Sequence, residues 1–283
     1  MALNRNVTGA QPTQSLTAKQ MLQLGLDHVA DAWRDFAGVS VKDCGGIGGM
    51  KTVSIRSLGT KHTAVVDDGV ALSNTQAGQI DIGRYDTDNL ASISMSVADD
   101  DQLMISARQY VSAGVLTLTT ERPHFADEQW QTLRVGVGAG SFGLVSPSLR
   151  WWVKPFERTA FSLSAKMTRA DGIYPYTLRN GNTSSRQRRY NTDITAWQAE
   201  ANAYHTFADG SELAMKAYWY YSERGLPGTV ILYANPSDER MWDEDFFAQM
   251  AYRRSLGTRL RLQTRLKYTH SWNQYRDWGS QYT

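Results

Sequence analysis

The sequence predicts an α+β domain followed by antiparallel transmembrane β-strands, about seven strands of an incomplete barrel. Three observations predict that order. Seven glycines, Gly45, Gly46, Gly48, Gly49, Gly59, Gly69 and Gly78, crowd between short β-type runs in residues 36–82. A glycine at a strand end supplies a positive φ or lets another backbone approach closely, so this stretch describes a compact small-strand domain with tight turns. After a polar, proline-led break at Pro123–Gln129, apolar residues recur at every second position, which gives each strand one apolar and one wet face. Between those strands, short turns alternate with long polar segments, as turns and outer loops alternate in a membrane barrel.

The first domain opens with a helix entry. Ser15 or Thr17 can cap it, and Met21, Leu22, Leu24, Leu26, Val29, Ala32, Trp33 and Phe36 follow at helical spacing until Gly38 stops it. The apolar stripe reads as core-facing. Short strands are expected at Lys51–Ile55, Thr63–Val66 and Ile93–Val97, with a turn at Asp68-Gly69 and a closing strand over Ala113–Arg122.

From Trp130 onward the alternation is regular. Leu133, Val135, Val137 and Ala139 alternate with Arg134 and three glycines, and Phe161, Leu163, Ala165 and Met167 alternate with Ser162, Ser164, Lys166 and Thr168. Trp197–Tyr204 and Glu212–Tyr221 repeat the pattern. The last strand sets Leu260, Leu262, Leu266 and Tyr268 against Arg259, Arg261, Arg265 and Lys267. Runs of about 10 residues at about 3.3 Å each, tilted near 45°, span roughly 23 Å, the height of a barrel's apolar band; sandwich strands are about half as long. Trp151, Trp152, Trp197, Phe207, Trp219, Tyr221, Tyr252, Tyr268 and Trp272 lie toward strand ends, as interfacial girdles do. Short turns fall at Lys154–Glu157, Ala208–Ser211 and Ser255–Thr258, and long polar segments at Asp171–Asn191 and Gly225–Asp245. An Arg facing lipid at mid-bilayer costs about 2–4 kcal/mol, so Arg261, Arg265 and Lys267 are assigned to the lumen side and Leu262 and Leu266 to lipid.

Composition narrows the function classes. Across 283 residues the formal net charge is +2, which favours no nucleic-acid or other polyanion partner. The single cysteine, Cys44, has no nearby His/Cys cluster and reads as a small loop residue. No run approaches 18 apolar residues, so no transmembrane helix is expected. The mean hydropathy of −0.46 would suit a soluble protein, but half of every barrel strand faces a polar lumen. The start, MALNRNVTGAQPTQ, lacks an apolar signal-peptide core, so a leader is expected upstream or already removed. Gly138-Ala139-Gly140-Ser141-Phe142-Gly143 fits a dinucleotide-binding template, but that template needs a helix next. Leu144–Val153 holds Pro147 and alternates like a strand, so a hairpin fits better. Gly45–Thr52 lacks the Gly-Lys adjacency of a phosphate loop. Asp67-Asp68-Gly69 and Asp99-Asp100-Asp101 lack calcium-loop spacing, and His28, His62, His124, His205 and His270 are scattered. No catalytic constellation emerges, and the chain is read as a non-enzyme with no cofactor.

The order of motifs in the first domain resembles the plug domain of TonB-dependent outer-membrane receptors. Leu24–Val41 is similar to that family's helix ending in "PGV", here Phe36-Ala37-Gly38-Val39; its "IRG" stands here as Ile55-Arg56-Ser57, and its "GGVVNIITTR" strand as Ala113-Gly114-Val115-Leu116-Thr117-Leu118-Thr119-Thr120-Glu121-Arg122. The resemblance implies a plug domain over residues 1–122, a linker at 123–129 and the N-terminal part of a barrel of about 22 strands over 130–283. It also implies a bacterial outer-membrane receptor that binds a scarce nutrient, such as a siderophore or cobalamin, and admits it to the periplasm with energy delivered through TonB. The apical plug loops correspond to Asp43–Gly49 and Ser73–Asp81. Their ligand candidates are Asn74, Thr75, Gln76, Gln79 and Asp81, whose other reading is the satisfaction of turn backbones. Arg56 resembles half of a plug-to-barrel ion lock, with Arg108 and Arg122 as further candidates.

Several positions depart from the family pattern. Ser57 replaces the "IRG" glycine, Ile93–Val97 lacks the family's acid, no TonB box is identifiable before Val7, and the chain ends at Thr283 without a terminal aromatic. Open strand edges in lipid leave unpaired amides that cost several kcal/mol per group, so the chain is expected to be a fragment of a longer receptor. The alternative is a soluble or surface ligand-binding β-protein with an N-terminal α+β domain and no transport activity; an enzyme using the glycine-rich hairpin is a third reading.

Overall fold

The computed structural model describes residues 4–6, 13–45, 47–74, 78–97, 105–230 and 237–279. The chain divides into two compact units, one of Met1–Cys44 with Gly49–His124, the other of Gly45–Gly48 with Phe125–Thr283.

In the first unit, β1 (Asn4–Asn6) and β2 (Thr13–Thr17) lead into α1 (Ala18–Gln23) and α2 (Val29–Arg34). The single helix expected over residues 15–37 is therefore two. Thr17 caps α1 reciprocally with Gln20: the Gln20 amide donates to Thr17 Oγ1 at 3.4 Å and the Thr17 amide to Gln20 Oε1 at 2.9 Å. The helix stops because Gly25 turns left-handed, φ 65°, and the Leu26 amide then closes onto the Met21 carbonyl at 3.0 Å, a glycine-dependent terminus. Met21, Val29, Ala32, Trp33 and Phe36 of the expected stripe are buried, but Leu22 and Leu24 are exposed, because the break after α1 turns them away from the core.

Next come β3 (Val39–Asp43), β4 (Lys51–Ile55), β5 (Thr63–Asp67), β6 (Val70–Ala71), β7 (Leu90–Ser96), α3 (Ala107–Tyr110) and β8 (Gly114–Thr120). Among the described residues, β3 and β4 form a hairpin, and a six-stranded sheet runs β1-β2-β7-β8-β5-β6. Only the β5–β8 pair in that sheet is parallel. Ile93 faces Leu118 and Met95 faces Leu116 across β7–β8, and all four are buried. Gly114 starts β8 where a Cβ would come within 2.5 Å of Ile55 Cδ1, so any side chain there would have to displace the buried Ile55. The Asp68-Gly69 turn has φ of 49° and 84°, and the Asp68 carboxylate accepts the Thr120 amide at 2.9 Å and hydroxyl at 2.7 Å. That acid ties two strands together. The Asp99-Asp100-Asp101 run lies outside the described residues.

The second unit carries β9 (Gln131–Gly140), β10 (Leu144–Phe156), β11 (Thr159–Ala170), β12 (Tyr174–Asn180), β13 (Thr183–Arg189), β14 (Ile194–Thr206), β15 (Glu212–Gly225), β16 (Arg240–Leu256) and β17 (Leu260–Arg276). Among the described residues, a seven-stranded antiparallel sheet runs β17-β16-β15-β14-β11-β10-β9, and β12–β13 is a separate hairpin. The sheet strands span 10 to 17 residues, longer than the roughly 5–6 usual in globular domains. Several details depart from the sequence reading, among them β16, which already begins at Arg240 inside the expected polar segment and runs to Leu256. Lys154 and Phe156 belong to β10, so the turn is Glu157-Arg158; the polar segment after β11 contains a hairpin; and Trp152 faces the polar side, its ring under the guanidinium groups of Arg134 and Arg150 at 5.1 and 5.0 Å. The Gly138–Gly143 motif closes β9 and supplies the three-residue turn into β10.

Candidate functional site

The residues singled out for ligand contact all fall in the loop that follows β6, and a buried acid ties the end of that loop to strand β4. The hairpin β3–β4 pairs Asp43 with Lys51 at its tip. Lys51 donates its amide to Asp81 Oδ1 at 2.9 Å, and its ammonium lies 3.9 Å from Asp43 Oδ2. The same Asp81 oxygen accepts the Gly83 amide at 3.0 Å, and Oδ2 accepts Arg84 Nε at 3.4 Å. Asp81 is buried and caps the short 3-10 turn Ile82–Arg84. Arg34 on α2 extends this network by donating to Asp43 at 2.8 Å.

The predicted residues divide accordingly. Asn74 and Gln79 lie half-buried in the loop after β6, where the Gly78 amide closes onto the Asn74 carbonyl at 3.2 Å. Asp81 ends that loop with its carboxylate engaged by three donors, the turn-satisfying alternative in its strongest form. Thr75 and Gln76 lie outside the described residues. Arg56 sits at the opposite end of β4 from the tip. It is exposed, makes no ion pair among the described residues, and has φ 50°, followed by Ser57 at 58°. The left-handed backbone at Ser57 explains why a glycine is favoured there. Sequence reasoning missed Lys51, because nothing local links it to an acid 30 positions away.

The second unit is amphipathic in the inverse sense of a soluble domain. One register row runs Leu133–Trp151–Leu163–Ala201–Ala217–Ala248–Tyr268, and Leu133, Leu163 and Tyr268 are 62%, 47% and 61% exposed. The adjoining row runs Thr132–Trp152–Ser162–Asn202–Lys216–Gln249–Lys267, and Asn202 and Lys216 are each only 5% exposed. Asn202 donates to Glu200 at 2.8 Å and to Ser162 at 3.0 Å, and Lys216 lies 3.9 Å from Glu200. Apolar outside and hydrogen-bonded polar inside is the arrangement that hydrocarbon, not water, stabilises. No described helix is long and apolar enough to cross a membrane; here strands do so.

Also within this unit, Arg224 donates to Asp243 Oδ2 and to the Gly48 carbonyl, both at 2.8 Å. At the loop end of the strands, Arg240 bridges Asp193 and Glu223, each at 2.9 Å. Beyond β11, a cavity of about 750 Å³ is lined by Asp171, Ile173, Pro175, Arg186, Gln187, Arg188 and Tyr190.

Residues 5–99 match the TonB-dependent Receptor Plug Domain family. No curated protein matches the chain. Among solved structures, the siderophore receptor PiuA from Acinetobacter baumannii is similar at 11% identity and a TM-score of 0.66, over 94% of this chain and 37% of that one. The FrpB iron transporter from Neisseria meningitidis (F3-3 variant) is similar at 14% identity and 0.72, over 92% and 41%. The copper transporter OprC is similar at 13% identity and 0.64, over 92% and 37%. At these identities the likeness speaks for the fold. The chain spans well under half the length of the receptors it matches.

Proposed function

We propose that this chain of the TonB-dependent receptor family, an outer-membrane plug domain followed by barrel strands, serves to bind a scarce nutrient at the cell's outer face. Energy delivered by the periplasmic partner TonB then admits the nutrient to the periplasm. The observation that carries this reading is the inverted sheet, exposed Leu133, Leu163 and Tyr268 beside buried Lys216 and Asn202, in a chain whose residues 5–99 match the plug family. A soluble ligand-binding protein would leave that apolar face in water. The names of the similar receptors, a siderophore receptor, an iron transporter and a copper transporter, support a metal or metal chelate as cargo. The chain itself performs no covalent chemistry and needs no resident cofactor.

Within this proposal, residues 1–122 are the plug, 123–129 the linker and 130–283 barrel strands, supported by the compact units dividing after His124. Asn74, Thr75, Gln76 and Gln79 meet the ligand, and Asp81 serves it by holding their loop against Lys51. Arg56 acts as the plug's half of an ion lock, supported by its exposure on a fixed left-handed turn.

Fractionation and uptake test this together. Cells expressing the protein are separated into aqueous extract and outer membrane, and uptake of labelled iron and copper complexes is compared with and without its gene and with and without TonB. The protein is expected in the outer membrane, with one complex whose uptake needs both gene and TonB. Recovery in the aqueous extract, or uptake indifferent to TonB, would overturn the proposal.

A further inference from the structure

The polar segment after β11 builds a site of its own. In the β12–β13 hairpin, Pro175 faces Arg188 and Thr177 faces Arg186 across the ladder. Arg186 and Arg188 are two positions apart on one strand, so both project from the same face, about 7 Å apart along it. They line the cavity of about 750 Å³ with Ile173, Pro175, Gln187 and Tyr190, and Asp171 is the one acid in that lining. Asp171 Oδ1 accepts the Ile173 amide at 3.2 Å, and neither arginine makes an ion pair among the described residues. Two like-charged guanidinium groups side by side repel, and a concave setting raises the local positive potential. A cavity of this volume suits a small molecule rather than a polymer surface.

We propose that this cavity binds a small soluble anion bearing two oxyanion groups and a flat or apolar face. Arg186 and Arg188 each take one oxyanion group through paired N–H donors, the geometry in which guanidinium exceeds ammonium. Ile173 and Pro175 supply the apolar contact, and the Tyr190 hydroxyl donates at the rim. Arg189 projects from the other face and donates to the Gly228 carbonyl, which braces the hairpin against the next long connection. The inference rests on the reading of the chain as part of a nutrient receptor and adds the charge class of what that receptor admits.

The test is calorimetric titration of the full 283-residue chain in detergent with citrate and pyrophosphate as probes, glucose as a neutral control and vesicles containing lipid A as a lipid-phosphate control. At least one soluble anion is expected to bind, with Kd raised about 10-fold by Arg186→Ala or Arg188→Ala and binding lost in the double variant, as loss of a bidentate charge-assisted contact predicts. Arg188→Lys is expected to bind more weakly than wild type and more tightly than Arg188→Ala. Arg179→Ala, on the same hairpin but outside the cavity lining, should bind as wild type; an equal loss there would reduce the effect to general surface charge and overturn the site. Binding to lipid A alone, or soluble-anion binding unchanged in the double variant, would overturn it too. Far-UV circular dichroism verifies that each variant keeps its β-structure. TonB-dependent uptake that survives the double variant unchanged would sink this site and leave the receptor reading standing.

Discussion

The Lys51 amide donates to the Asp81 carboxylate at 2.9 Å, joining the start of β4 to the end of a loop 30 residues later in sequence. Because Asp81 is buried with three donors on it, its removal strands the Lys51 and Gly83 amides. Asp81→Ala is expected to destabilise the plug by about 1–3 kcal/mol and to speed proteolysis in residues 72–83. Asp81→Asn keeps one acceptor and should lie between. Urea unfolding and limited proteolysis measure both; wild-type values for Asp81→Ala would mean that the acid does not hold the loop.

The two faces of the seven-stranded sheet should respond oppositely to charge. Leu163→Arg places a guanidinium on the exposed apolar row and is expected to cost about 2–4 kcal/mol in a bilayer. Ser271→Arg places one at an exposed position of the polar face beside Asp245, its ladder partner, and should change stability by about 1 kcal/mol or less. Folding yields in lipid vesicles and urea unfolding from them give both numbers. Equal costs would contradict the facing assignment.

Much of this architecture is legible before any coordinates. Lys51–Ile55 carries β-branched residues between glycines, and β4 occupies those same residues. Leu260–Tyr268 alternates with basic residues so regularly that the facing of β17 follows from period two alone. What escaped has local causes. The helix over residues 15–37 breaks because Gly25 takes φ 65°, a choice that apolar spacing does not encode. The β12–β13 hairpin hid behind its polarity and Pro175, although Gly181-Asn182 is a two-residue turn signal and Gly181 does take φ 56°. The contact that ties the loop to β4 was out of reach, because Lys51 and Asp81 meet only through tertiary packing.

The turn between β14 and β15 should respond to acid. Asp209 Oδ1 accepts the Ser211 hydroxyl at 2.6 Å and amide at 3.0 Å, and these bonds, the hydroxyl first, hold its carboxyl below the ordinary 3.8. A depressed carboxyl contributes order that is complete above its unfolded value and is lost as pH falls through the lower folded value. Protection of the Ser211 amide from hydrogen exchange, corrected for the intrinsic pH dependence of exchange, is therefore expected to hold from neutral pH down to about pH 4 and to fall below it. In Asp209→Asn the protection should be lower and flat with pH. A wild-type profile that is flat through the acid range would remove Asp209 as the cause.

The Arg224–Asp243 pair offers the largest single-residue effect. Arg224 and Asp243 are 4% and 3% exposed, and their contact at 2.8 Å leaves Arg224 a second donor for the Gly48 carbonyl at the same distance. Removing one member of a buried pair leaves an uncompensated charge, which costs about 3–5 kcal/mol, whereas replacing both with apolar groups of similar volume is often close to neutral. Arg224→Met is therefore expected to lower stability by that amount, and Arg224→Met with Asp243→Leu to recover most of it. The recovery should be incomplete, because the half-buried Gly48 carbonyl loses its donor in both variants, a lost hydrogen bond of about 1 kcal/mol. Urea unfolding of both variants in lipid vesicles supplies the comparison. A double variant no more stable than Arg224→Met would show that the pair's partner at Gly48, and not Asp243, accounts for the arginine's contribution.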